Sequence, residues 1–197
     1  MLIKRALLSL LCVLCMTSIS YAQQKLSTGG VTMGQSKSEV AAVLKSKGNN
    51  YKESSNNGID YISLEDINVG GVIFDGYSFF KFKNNQLFEV YYQMNNAIGT
   101  YHYDAVGFAN AKIDAQKIKD AYNSLVHSLS AKYGDPQTIT GSSASRKYIT
   151  WRTLIGTITL EYHYKSGYDN MMYPNSETIS AGLALKYVDS SMIATDL

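Results

Sequence analysis

Cysteine, proline, histidine and arginine are all scarce in this chain of 197 residues. Its cysteines are Cys12 and Cys15, its prolines Pro136 and Pro174, and its arginines Arg5, Arg146 and Arg152. Each scarcity removes a class of structure or chemistry. With so few prolines, no proline-rich linker separates domains. Three arginines and a formal net charge of +2 do not supply the clustered basic charge that a nucleic-acid duplex requires. An anionic membrane surface is excluded as a partner on the same ground. His102, His127 and His163 are far apart in sequence and have no cysteine beside them, so no metal-ligand spacing arises. No cofactor is implied.

Both cysteines fall inside a segment that reads as a cleavable export signal over residues 1–22. Lys4 and Arg5 supply its positive start, and an apolar stretch runs from Ala6 to Ile19. Ser20-Tyr21-Ala22 then places small residues at the −3 and −1 positions of a cleavage site. The apolar run is shorter than the roughly 20 residues that span a bilayer, so cleavage leaves no membrane span. Leu11 and Leu14 precede the cysteines where a lipid acceptor would have a small residue. The expectation is a released protein, periplasmic or extracellular. Removing 22 residues from 197 leaves 175, without a cysteine and with Lys plus Arg equal to Asp plus Glu. A chain of this length can bury a sufficient core without disulfides.

What is abundant is aromatic: 16 tyrosines and 6 phenylalanines, which with Ile, Val and Thr favour strands. Residues 23–32 read as a disordered lead-in. Ser36-Lys37-Ser38-Glu39 is a capping box, with Val40, Val43 and Leu44 on one helical face and Gly48 as the stop. Strands are expected over Tyr61–Ile67, Val72–Lys83 and Gln86–Met94, with Asn84-Asn85 as a hairpin turn. In Val72–Lys83, Phe80 and Phe82 share one face and Tyr77 and Phe79 the other, which suggests that both faces are covered. A second helix is expected to start at Asp114, with Ile118, Ala121, Tyr122, Leu125 and Leu129 as its stripe and Gly134-Asp135-Pro136 as its end. Strands then follow at Lys147–Leu154, Thr157–Lys165 and Thr178–Val188.

The helix starts near 36 and 114 are 114 − 36 = 78 residues apart. The expected fold is therefore α+β: two tandem helix-plus-antiparallel-meander units (αβββ-αβββ), with helices packed on the sheet faces. The first unit takes residues 33–96, a connecting loop 97–113, and the second unit 114–197.

Met33-Gly34-Gln35-Ser36-Lys37-Ser38-Glu39-Val40, with Leu44 and Gly48, resembles the helix opening of two related groups. These are the β-lactamase-inhibitor-protein-like repeats and the small outer-membrane assembly lipoproteins. Phe80-Lys81-Phe82-Lys83-Asn84-Asn85-Gln86-Leu87 resembles the hairpin that follows there, and Tyr133-Gly134-Asp135-Pro136 the helix end of a second unit. The resemblance implies a non-enzymatic exported protein that binds other proteins through sheet faces and loops. The lipid-acceptor pattern and repeat disulfides of those groups are missing here, and no functional residue carries over.

Catalytic patterns are sparse. No Gly-x-Ser-x-Gly elbow surrounds any serine, and no phosphate-cradling loop follows a strand. Glu65-Asp66 and Asp169 are isolated acidic spots. His163 lies beside Glu161 on the polar side of its strand and could pair with it, and His127 lies opposite the apolar stripe of its helix.

Two aromatic loops stand out instead. One carries Tyr101, His102, Tyr103 and Phe108, the other Tyr168, Met171, Met172 and Tyr173. Tyrosine offers rigid contact area with a polar tip. The reading that follows is an exported, non-enzymatic binding module that uses these aromatics, with Trp151 and Arg152 contributing, on a protein or glycan partner. The bland alternative is that the rings complete the core. Two other functions stay open: a secreted hydrolase, glycan-directed, whose site assembles only in the fold, and a structural cell-envelope protein.

Overall fold

The computed structural model describes residues 25–101, 104–140, 145–169 and 176–193. The chain opens with β1 (Ser27–Thr28), β2 (Val31–Thr32), α1 (Lys37–Ser46), β3 (Lys52–Asn56) and β4 (Ile59–Leu64). It continues with β5 (Ile67–Val69), β6 (Val72–Phe74), β7 (Ser78–Lys83), β8 (Gln86–Gln93) and β9 (Ala97–Thr100). After α2 (Ala105–Tyr133) come β10 (Gln137–Thr140), β11 (Arg146–Arg152), β12 (Gly156–Asp169), β13 (Ser176–Asp189) and α3 (Ser190–Ile193).

Local signals set several of these boundaries. Ser36 caps α1, its hydroxyl accepting from the Glu39 amide while the Glu39 carboxylate accepts from the Ser36 amide. Gly48, at φ 77°, ends the helix in the left-handed conformation that relieves its last carbonyls. Asn84 and Asn85, both at positive φ, make the tight turn between β7 and β8.

The two-unit α+β expectation is overturned. The protein is mostly β, and its strands do not form two separate meanders. A single sheet runs β10-β11-β12-β13-β8-β7-β4-β3, with β9 pairing β13 off this path. Every pairing in it is antiparallel. β8 and β9 lie end to end along β13, one opposite 184–188 and the other opposite 178–181. The physical reason is that β8 and β13 both carry apolar side chains on one face. Val90 and Tyr92 register with Tyr187 and Leu185, so pairing the strands merges two half-cores into one.

Two further expectations change. Residues 23–32 are not a lead-in throughout: β1 and β2 form a hairpin whose Leu26 and Val31 are fully buried. The 97–113 connection is not a loop either, because it holds β9 and the first turns of α2. Asp104, not Asp114, caps that helix, accepting from the Val106 amide. The expected strand Val72–Lys83 is two strands, split at 75–77.

One face of the sheet holds the core. Ile62, Leu64, Phe80, Phe82, Val90, Tyr92, Ile158, Leu160, Leu183 and Leu185 point to it. Val40 and Leu44 of α1, Phe108 to Leu129 of α2 and the β5–β6 hairpin join the same cluster. Phe74 of that hairpin meets the Tyr92 ring at 5.3 Å. Among the described residues no layer covers the opposite face.

Candidate functional site

Strand alternation decides what the open face carries. Because Phe80, Val90, Leu185 and Leu160 turn inward, Phe79, Lys81, Glu89, Tyr91, Lys186 and Glu161 turn outward. Tyr77, Phe79 and Tyr91 form an aromatic ladder, with ring centroids 6.3 Å and 6.4 Å apart. Tyr61 of β4 joins Phe79, Tyr91, Lys81 and Lys186 around a shallow hollow.

Glu89 anchors this hollow. Its carboxylate is held by Lys81 Nζ at 2.7 Å from β7 and by Lys186 Nζ at 3.1 Å from β13. The three side chains tie three adjacent strands together, and the lysine stems cover apolar ring surface.

A second hollow adjoins the first through Tyr91 and includes Gln93, Asn96, Arg146, Glu161 and His163. Glu161 accepts from Arg146 Nε at 3.3 Å and from the Tyr148 hydroxyl at 3.2 Å. Burial, and after it the Glu161 charge, pushes the Tyr91 phenol up, so it stays a neutral donor. His163 does not pair with Glu161 as expected; its Nε2 lies 3.5 Å from the Ser180 hydroxyl. Burial, then the Arg146 charge, holds the imidazole below its ordinary value, with Glu161 opposing. Its ring lies where a Cβ on Gly182 would stand, 2.2 Å from His163 Cε1. A glycine there lets the imidazole lie flat on the sheet.

This arrangement is better suited to contact than to bond-breaking. Both carboxylates are already engaged by cations, so neither stands ready as an acid or base. The His163–Ser180 approach is at the limit of hydrogen-bond length, and the carboxylate that would orient the base is turned to Arg146 and Tyr148 instead. Among the described residues no group of three or more His, Cys, Asp or Glu could hold a metal ion.

The residues singled out from sequence scatter. Phe108 and Trp151 are core residues, 4% and 1% exposed, so neither can meet a partner. Phe108 faces inward because α2 begins early enough to include it. Trp151 alternates inward with Ile149 on β11. Tyr101 and Tyr168 are exposed, at 58% and 68%. They flank Glu177 on β13, since the Tyr101 amide donates to the Glu177 carbonyl and Tyr168 registers with Glu177. Glu177 pairs with Lys112 of α2, which puts both tyrosines on the helix side, away from the open face. Arg152 is exposed at the end of β11, on the open side. His102, Tyr103, Met171, Met172 and Tyr173 lie outside the described residues.

Sequence reasoning missed Tyr61, Phe79, Lys81, Glu89, Tyr91 and Lys186. The available signal was β7 itself, whose aromatics fall on both faces. It suggested two covered faces, whereas one face is left open. His127 is exposed, on the side of α2 away from the sheet.

No family model matches the chain, and no curated protein or solved structure matches it. Among the described residues no helix is long and apolar enough to cross a membrane.

Proposed function

We propose that the protein is an exported, non-enzymatic interaction module whose contact surface is the open face of its sheet. The observation that carries this reading is the uncovered ladder Tyr77–Phe79–Tyr91, framed by the Lys81–Glu89–Lys186 and Arg146–Glu161 clusters. Rigid aromatic area at the centre of a patch supplies binding energy, and charges around it supply orientation and selectivity. Cations, among them Lys81, Lys186, Arg146, Arg152 and Lys165, outnumber the carboxylates Glu89 and Glu161 here, which favours an acidic protein surface as partner. The resemblance to exported proteins that bind through sheet faces points the same way. Ion pairs interrupt the apolar area, which argues against a purely structural packing role. Export rests on the 1–22 signal, and mass spectrometry of the secreted or periplasmic protein is expected to find it starting at Gln23.

The test is capture from envelope and secreted fractions with three forms of the full protein. Tyr91→Ser and Lys186→Glu are each expected to lose the partner that the natural sequence retains, while Tyr101→Ser keeps it. Retention by both open-face variants, or loss by Tyr101→Ser alone, overturns the reading.

The hydrolase alternative has one observation in its favour, the 3.5 Å approach of His163 to Ser180. A fluorophosphonate probe decides it. No labelling is expected, and labelling abolished by Ser180→Ala would establish the enzyme.

A further inference from the structure

A cleft of about 450 Å³ opens at one margin of the sheet, between the end of α1, the start of β3, the end of β4 and Tyr77 ahead of β7. It lies beyond the ladder and is separate from the two hollows of the open face. Its size falls among clefts that hold small molecules, about 300–1,000 Å³. Its lining is largely polar, with Leu64 and Tyr51 among the polar groups. Asn49 and Asn50 offer amides, Ser63 a hydroxyl, and Glu65 and Asp66 carboxylates. The side chains of Asn49, Asn50, Glu65 and Asp66 have no hydrogen bond or ion pair to another described residue. Beside them stands the Tyr77 ring, 60% exposed and held by its stack on Phe79.

The chemistry narrows the ligand. One cation, Lys52, faces two carboxylates, so a phosphate or another anion would meet net repulsion. Among the described residues no third His, Cys, Asp or Glu joins Glu65 and Asp66, so the cleft lacks the ligand set of a closed structural metal site. An apolar ligand would strip water from five polar side chains and return no hydrogen bonds. A sugar satisfies every group present. Its hydroxyls both donate to carboxylates and accept from amides, and the C–H face of its ring packs against an aromatic one.

We propose that this cleft binds one or two rings of a neutral or N-acetylated glycan. Tyr77 is the platform, and Asn50, Glu65 and Asp66 are the hydroxyl-reading groups. The cleft shares Tyr77 with the open-face ladder, whereas Tyr91, Lys81 and Lys186 are not part of it, so the Glu65→Gln/Asp66→Asn pair tests the cleft without touching the ladder.

The experiment is a glycan array of neutral, N-acetylated and uronic-acid oligosaccharides probed with the mature protein, followed by calorimetric titration of the strongest hit. Binding is expected among the neutral or N-acetylated sugars. Tyr77→Ala and the isosteric pair Glu65→Gln/Asp66→Asn are each expected to weaken it at least tenfold. The isosteric pair keeps the ring and the shape, so it remains decisive should Tyr77→Ala disturb the fold. Tyr101→Ser, at an exposed ring on the helix side of the sheet, should leave sugar affinity within twofold. An empty array, hits confined to the acidic glycans, or affinity unchanged in the isosteric pair overturns the proposal. None of these results bears on protein capture by the open face.

Discussion

The indole of Trp151 is 1% exposed and its Nε1 has no hydrogen-bond partner among the described residues. Its contribution is therefore packing area, reduced by one unpaired donor. Trp151→Ala is expected to cost about 3–5 kcal/mol in urea unfolding, and Trp151→Phe clearly less, since the shorter ring also removes that donor. Tyr101→Ala, at a ring 58% exposed, should shift the same transition by less than about 1 kcal/mol. Tyr187 adds a pH dependence. Burial pushes its phenol up to about 12, while the Thr28 hydroxyl offsets part of the shift and Tyr133 adds to it. Tyr92, fully buried beside the same threonine, is raised as well, again by burial. An acid whose folded value is raised keeps its proton when the unfolded chain has lost it. Its stability contribution is thus complete below pH 10 and falls as pH climbs from 10 toward 12. For Tyr187 the loss approaches about 2–3 kcal/mol. Tyr187→Phe is expected to flatten the fall in melting temperature over that window, and an equally steep fall in the variant would refute the assignment.

At the scale of elements, the hairpin β1–β2 is a structural part that composition hid. Ser, Thr and Gly around Leu26 and Val31 read as a lead-in, because a two-residue strand has no periodicity to detect. Yet both apolar side chains are fully buried, each contributing about 1.5–3 kcal/mol. Deleting residues 23–32 is therefore expected to lower unfolding free energy by about 3–6 kcal/mol, measured by denaturant titration of the refolded proteins. A loss under 1 kcal/mol would restore the lead-in reading. The start of α2 was hidden for a different reason. Gly107 looked like a loop residue, but it occupies the third position of the helix, where a Cβ would stand 2.3 Å from the Asp104 carboxylate. The glycine makes room for the cap. By contrast, the α1 capping box and the Asn84-Asn85 turn were legible, since each is a local backbone motif whose side chains act within four residues. The open-face site was not, because Lys81, Glu89 and Lys186 meet only once β7, β8 and β13 are neighbours.

At the scale of the molecule, the difference between two units and one sheet has a measurable consequence. Two tandem αβββ units would each own a core and could unfold separately. Here β8, from the first half, pairs with β13, from the second, and Met94 continues the seam, its amide donating to the Leu183 carbonyl at 3.0 Å, an ordinary ladder distance. Val90 and Tyr92 share the core with Leu185 and Tyr187. The long helix α2 packs on β13 and β9 and reaches β6, so it too belongs to both halves. Cutting the chain between them would expose the edges of β8 and β13 together with these side chains, an edge that favours aggregation. Calorimetry of residues 23–197 is expected to give a single transition with equal calorimetric and van't Hoff enthalpies. Residues 25–100 and 104–193 expressed separately should each lack a cooperative transition and recover one only when mixed. Two resolved transitions in the whole chain, or a cooperative transition in either half alone, would mean that the seam between β8 and β13 does not hold the fold together.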